Sequence, residues 1–313
     1  MKAIKPISIT DAMLTSSNVT ENDYTEYIPG TIYGVGDLVI ITTVGIHKVY
    51  ESLRAANHNN YPPSNLTGGN PYWLEVGATN RWKMFDYLVQ SQTENTSVIK
   101  VVLAPGESIN SIALLHLDAS SVRITMTDPV AAVVYDKTIL LSASEIVLWE
   151  TLTVWSAEYI WQGGVYNDLV EKVALKTDLP NYPNASLTII IASSGVTAKC
   201  GVLVIGNYID LGNTRYSPAA GIRDYSIKEA DDYGNFTILE RAYSKRVSVS
   251  FFMDTSEHSR VLRFLTHYRA TALVWILSEM YNLTIAYGFY KSFSISVPNL
   301  THSECDIEIE GLT

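Results

Sequence analysis

The side chains that could do bond-making chemistry in this 313-residue chain are few and dispersed. Six histidines stand at 47, 58, 116, 258, 267 and 302, and no pair of them has metal-ligand spacing supported by Cys or Asp. Glu229, Asp231 and Asp232 cluster as acids, a pattern that general acid–base work can use but that a solvated loop explains better. The chain has no phosphate-binding loop, no Gly-x-Ser-x-Gly elbow and no His-Glu-x-x-His helix, and "YGVGD" lacks the third glycine of a dinucleotide turn. These residues predict no enzyme and no cofactor, although carboxylates scattered through a fold leave no local signature. What does concentrate is aromatic surface. Tyr33, Tyr50, Tyr61, Tyr72 and Trp73 fall within residues 31–77, too short a stretch for a large aliphatic core. Trp82 follows just beyond, where it reads as core. Trp73 is balanced between core and an exposed stacking face.

The elements that position these residues read as strands. Charged residues make up 17% of the chain, mean hydropathy is +0.09, and Tyr, Val, Ile, Ser and Thr dominate between Gly and Pro punctuation. Net charge is −10 with no cluster of Lys or Arg, which argues against a nucleic-acid partner. No window reaches the roughly 18 apolar residues of a membrane span, so no membrane insertion is expected. The N-terminus carries Pro6 and no signal-length apolar run, and two cysteines are too few for a disulfide scaffold. Together these features read as folding in a reducing cytoplasm. Seven Asn-x-Ser/Thr sequons are taken as a by-product of an Asn- and Thr-rich composition.

Residues 1–30 are expected to be an irregular N-terminal arm. Residues 31–77 form a small aromatic module, followed by a connector at 77–82 whose Gly77 and Ala78 carry little packing surface. Residues 78–206 then supply strands at 97–106, 111–119, 121–128, 132–141, "ASLTIIIAS" and "AKCGVLVIG", spaced as in a jelly-roll sandwich. Trp149, Trp155 and Trp161 recur every six residues, which fits one face of a strand and core or interface packing. Residues 207–313 read as a C-terminal antiparallel β domain with one helix at 255–268. Asp254 and Glu257 predict a capping box for that helix, and Val261, Leu262, Leu265 and Tyr268 its buried face. Four strands follow it: "TALVWILS", "LTIAYGFY", "SFSISVPN" and "SECDIEIEGL". Cys200 and Cys305 open similar alternating strands and are candidates for neighbours.

Two resemblances add to this reading. Tyr33, Gly36-Asp37, Tyr50 with Ser52, the loop Asn60 to Pro63 and the closing Trp73 to Gly77 resemble the family 5/12 carbohydrate-binding modules. That resemblance implies a carbohydrate site drawn from Tyr50, Tyr61 and Trp73, although the loop from His58 to Asn70 is long and lacks a tryptophan. The segments "VGATNRWKMFD", "APGESINSIALLHLDASSVRITMTD", "CGVLVIGNYIDLGNTRYSPAAGIRDYSIKEADDYGNF" and "LTIAYGFYKSFSISV" with "SECDIEIEGL" resemble tail proteins of tailed bacteriophages. That resemblance spans roughly residues 78–312. It implies a galactose-binding-like sandwich and a structural protein of the virion tail tip, baseplate or fibre junction, assembled in the host bacterial cytoplasm. Its implied partners are other tail proteins, further copies in a ring or trimer, and a host surface glycan. The alternatives are a carbohydrate-binding adhesin, in which the aromatic module does the main work, and a polysaccharide depolymerase.

Overall fold

The computed structural model of the chain describes residues 1–141, 173–215, 218–230, 236–279, 282–298 and 300–312. Trp149, Trp155, Trp161, Asp231 and Asp232 lie outside the described residues. The molecule is mainly β and its ladders are almost all antiparallel, with one α-helix among the described residues.

The expected arm contains the strand on which two halves of the body meet. β1 (Lys2–Pro6) pairs on one side with the end of the long β14 (Ser186–Asp210), from Lys2 opposite Asp210 to Pro6 opposite Gly206. On its other side it pairs with β20 (Leu273–Ile276). Ala3 and Ile4 are both fully buried, and because side chains alternate across a strand they point into different cores. Burying Ile4 alone contributes about 1.5–3 kcal/mol. At Gly206 an added Cβ would lie 1.9 Å from the Lys5 carbonyl oxygen, so only glycine lets β1 approach this closely. β2 (Leu14–Ser17) then runs along the edge of β9 (Thr93–Leu103), and β3 (Thr25–Glu26) joins the aromatic module. Residues 1–30 are therefore not an arm but three strands tied to three parts of the molecule.

The module's sheet is β3 beside β5 (Leu38–Ile41), then β6 (Lys48–Ser52) and β8 (Trp73–Ala78). A two-stranded ladder of β4 (Ile32–Tyr33) and β7 (Asn57–His58) closes it. Tyr33, Val39, Ile41, Tyr50 and Trp73 form its core.

The sandwich-like body follows. β11 (Ser121–Asp128) pairs with β12 (Ala132–Leu140) as a hairpin; β11 and β10 (Ser111–Asp118) pair with successive parts of β14, and β13 (Val173–Lys176) pairs with β10. Ile99 and Val101 of β9, Ile112 and Leu114 of β10, and Val122 and Ile124 of β11 meet inside. The two strands expected at "ASLTIIIAS" and "AKCGVLVIG" are one, because a register shift against β9 between Ala192 and Thr197 lets the chain continue as a bulge. From Gly201 to Gly206 this strand is buried on both faces. Leu203 and Ile205 enter the sandwich core, while Val202 and Val204 pack with Ile4, Val274 and Ile285.

In the C-terminal part, β19 (Tyr243–Asp254), β22 (His302–Gly311), β21 (Ile285–Ser296) and β20 lie in that order, with β15 (Asn213–Thr214) at the edge. "LTIAYGFY" and "SFSISVPN" likewise merge into β21 through a shift between Tyr290 and Ser292. The helix α1 (His258–His267) follows a 3-10 turn at Thr255–Glu257. The capping box does not form: Asp254 makes no side-chain cap, and Glu257 pairs with Arg260. Nor does Leu262 face inward. Phe264 takes that role with Val261 and Leu265, packing with Phe251, Trp275 and Ile307.

β16 (Ala219–Asp224), β17 (Ile227–Ala230) and β18 (Phe236–Leu239) complete the chain as an extension of β19. Asp224 faces Tyr243, Ile227 faces Leu239 and Ala230 faces Phe236, so this is one long hairpin leaving the sheet edge.

Candidate functional site

The aromatic residues of the module gather around one the sequence reading left out. Tyr27 stacks on Tyr33 with ring centroids 5.7 Å apart, and meets Tyr61 at 5.9 Å and Trp73 at 6.0 Å edge-on. Tyr33 and Trp73 complete the cluster at 5.3 Å. Trp73 is only 1% exposed, and its indole Nε1 donates to the Asn60 carbonyl at 2.8 Å. Tyr50 is equally buried, and burial pushes its hydroxyl up to about 12, with Glu75 and Tyr61 adding to the shift. Burial likewise raises Tyr27, with Tyr33 and Tyr61 adding to it. Of the three aromatics singled out from sequence, Tyr50 and Trp73 therefore fill the core, and Tyr61 alone, at 41% exposure, offers ring surface to solvent.

The long loop that leads to Trp73 is held by side-chain amides. Asn57 donates to Ser52 Oγ and the Tyr72 carbonyl, Asn60 to Asn57 Oδ1, and Asn65 to the Tyr61 carbonyl. Arg54 lies over the Tyr72 ring at 4.4 Å and donates to the Pro71 carbonyl at 3.2 Å. Local amide bonds of this kind substitute for the missing strand ladder. The loop is thus a rigid edge around Tyr61.

Where the module meets the body, polar groups converge. His47 Nδ1 lies 2.8 Å from Glu21 Oε2 and its Nε2 lies 2.5 Å from Asp11 Oδ1. Its ring stacks on Trp82 with centroids 4.5 Å apart. Glu21 also meets Arg81 at 2.8 Å and accepts from Thr79 Oγ1 at 3.0 Å. Asp23 accepts from the Asn80 amide and pairs with Lys83 at 3.6 Å. Burial pushes the Asp11 carboxyl up, but hydrogen bonds from His47 and the Gly45 amide outweigh it and hold the group below its ordinary value. The connector at 77–82 is in this way bound to residues 11–23 on one side and to the module's β5–β6 turn on the other.

Nearby, Asp86 accepts from the Leu88 amide and from Ser91, and burial raises it to about 6. Among the described residues no three His, Cys, Asp or Glu groups are placed to hold a metal ion. Glu229 is exposed on β17. Cys200 and Cys305 are free, buried in separate cores, and pushed up by burial to about 12 and about 11. An open cavity of about 470 Å³ beside α1 is lined by Asp210, Phe252, Asp254, Glu257, Arg260 and His302. Arg260 is already engaged there, by Glu257 and the Asp210 carbonyl.

The remaining conspicuous surface is the hairpin. Phe236 is 70% and Ile238 67% exposed, and Ile222, Leu239 and Tyr243 are exposed with them. Alternation places Ala230, Phe236 and Ile238 on one face of β17–β18. Arg223 and Tyr225 hold the base of the hairpin to the sheet by binding Glu310 at 2.9 Å each. Sequence reading passed over this surface because "KEADDYGNFTILE" carries as many charges as apolar residues. Comparison of the chain with protein-family models and with curated proteins yields no match.

Proposed function

We propose that this chain is a structural component of a bacteriophage tail that assembles through its β body with further copies of itself. The observation that carries the assembly is the hairpin of β16 to β19. A two-stranded ribbon in water is marginal by itself, and this one holds Phe236 and Ile238 about two-thirds exposed to solvent. Packed against a neighbouring protomer, each of those side chains contributes about 1.5–3 kcal/mol. The tail assignment is supported by the sequence segments of residues 78–312 that resemble tail proteins. The reading includes no catalytic role, no cofactor and no nucleic-acid partner, and places the protein in the virion.

The second reading, a carbohydrate-binding adhesin, is favoured by one observation only, the exposed Tyr61 ring on a rigid loop. One tyrosine face gives weak stacking, so such a site would depend on many copies acting together. The buried Tyr50 and Trp73 instead favour a module that serves as an interaction domain. Light scattering of the purified chain tests the main reading: closed oligomers are expected, and Phe236→Asp with Ile238→Asp should return them to monomers. A chain that is monomeric at every concentration, yet is captured by bacterial glycans and loses capture in Tyr61→Ala, would replace it with the second.

A further inference from the structure

We propose that the His47 cluster is a protonation-dependent latch, which holds the aromatic module against the sheet body and releases it when a carboxylate gains a proton. The geometry of the ring contacts carries this. Each ring nitrogen of His47 faces a carboxylate oxygen, Glu21 at 2.8 Å and Asp11 at 2.5 Å. Carboxylates accept hydrogen bonds and do not donate them, so both contacts hold together only when each ring nitrogen supplies an N–H. A neutral imidazole has one N–H and can satisfy only one of the two acids. The other would then stand beside a lone pair with its charge uncompensated.

Every element at the joint contributes a charge or a ring. Residues 11–23 supply Asp11, Glu21 and Asp23; the connector supplies Arg81, Lys83 and the Trp82 face; and on the module Lys48 is turned away to Glu75 at 3.0 Å. Glu21 is the most enclosed of the acids, with 6% of its side chain exposed, and its charge is met from two sides by His47 and Arg81.

Direction follows from Asp11, whose carboxyl is held below its ordinary value chiefly by His47 once burial is overcome. A depressed acid contributes stability that is present above its ordinary range and lost as pH falls through its folded value. The latch therefore stays closed at neutral pH and opens in acid.

The test is a pair of spin labels on the full chain, at Val44→Cys in the module and Val130→Cys in the body, diluted into unlabelled protein. At pH 7 a single narrow distance is expected. His47→Gln should broaden it at pH 7, and so should the unsubstituted joint in acid, before circular dichroism shows loss of strand signal. Should His47→Gln fail to fold, Asp11→Asn on the surface segment serves instead and should broaden the distance too. A narrow distance in the folded variants at pH 7, or one that persists in acid until the whole chain unfolds, overturns the proposal.

Discussion

Two short stretches tie this molecule together, and they do so by opposite physics. β1 joins the sandwich to the C-terminal sheet through Ala3 and Ile4, which enter apolar cores on opposite faces, while the backbone of Lys2 to Ile4 is paired on both edges. The joint at residues 79–83 ties the aromatic module to the body with ion pairs, a ring stack and a hydroxyl. Apolar burial has no direction and no titration, so the first seam fixes its parts under all conditions in which the protein folds. Charged hydrogen bonds are directional and lose their strength with a proton, so the second can be undone without unfolding either side.

The largest effect should come from removing a tryptophan on each side of this contrast. Trp275 is fully buried in the C-terminal core, with its indole donating to the Gly288 carbonyl at 2.9 Å. Trp73 is its counterpart in the module. Each change to Ala should cost about 3–5 kcal/mol where it acts. Trp275→Ala should lower the denaturation midpoint of the whole chain. Trp73→Ala should leave that midpoint in place and expose only module amides to hydrogen exchange. One shared shift for both variants would show that seam and joint are equally rigid.

Gly206→Val attacks the seam alone. The new Cβ meets the Lys5 carbonyl at 1.9 Å and a Lys5 carbonyl carbon at 3.0 Å, so β1 must move off β14. A loss of about 2–4 kcal/mol is expected, by analogy with other severe backbone clashes. Gly77→Ala, where nothing lies within 4 Å of the added atom, is the control in the connector and should leave unfolding unchanged.

How much of this was readable beforehand varies with the reach of each interaction. β11 and β22 announce themselves, because Val122, Ile124 and Met126, or Cys305, Ile307 and Ile309, alternate strictly with polar neighbours. β1 does not, since "KAIKP" is five residues with two lysines and its partners lie some 200 residues on. The merging of two expected strands into β14 depends on a bulge that no composition marks. The latch was invisible for a similar reason: His47 finds its acids 26 and 36 residues back, in a stretch that reads as irregular. Tyr50 and Trp73 were visible as aromatics, but only packing decides that they face inward and Tyr61 outward. Val261, Phe264 and Leu265 stand at i, i+3 and i+4 and form the buried stripe, and Leu262, one residue on from Val261, falls off it.

A smaller effect concerns Asp86, beside the joint. Burial raises its carboxyl to about 6, with its hydrogen bonds and Lys48 and Lys83 opposing the shift. The folded state then holds a proton more tightly than the unfolded one, and stability declines as pH rises from the ordinary carboxylate range to about 6. Asp86→Asn should remove that decline and raise stability at pH 7 by on the order of 1 kcal/mol, allowing for solvent screening. Denaturant titrations at pH 4.5 and pH 7 measure the difference, and equal slopes in parent and variant would disprove it.

The smallest effect is the one that separates an ion pair at a joint from an ion pair on a surface. Arg123 of β11 and Asp136 of β12 meet diagonally across the strand pair at 2.6 Å, and both are exposed to solvent. The arginine hydrogen bonds hold the Asp136 carboxyl below its ordinary value. Arg81 makes a similar contact with Glu21, but there the carboxylate is enclosed and shared with His47. In the exposed pair, water replaces each lost contact at once, and holding two long side chains in register offsets what the pair gains. In the enclosed one, removing the arginine leaves a desolvated charge with fewer partners. Arg123→Gln should therefore leave the unfolding midpoint within measurement error while the Asp136 titration followed by NMR moves up. Arg81→Gln should raise hydrogen exchange across residues 11–23 and the β5–β6 turn. If Arg123→Gln destabilised the chain as much as Arg81→Gln, enclosure would not be what gives the joint its strength, and the contrast between seam and joint would reduce to the number of contacts.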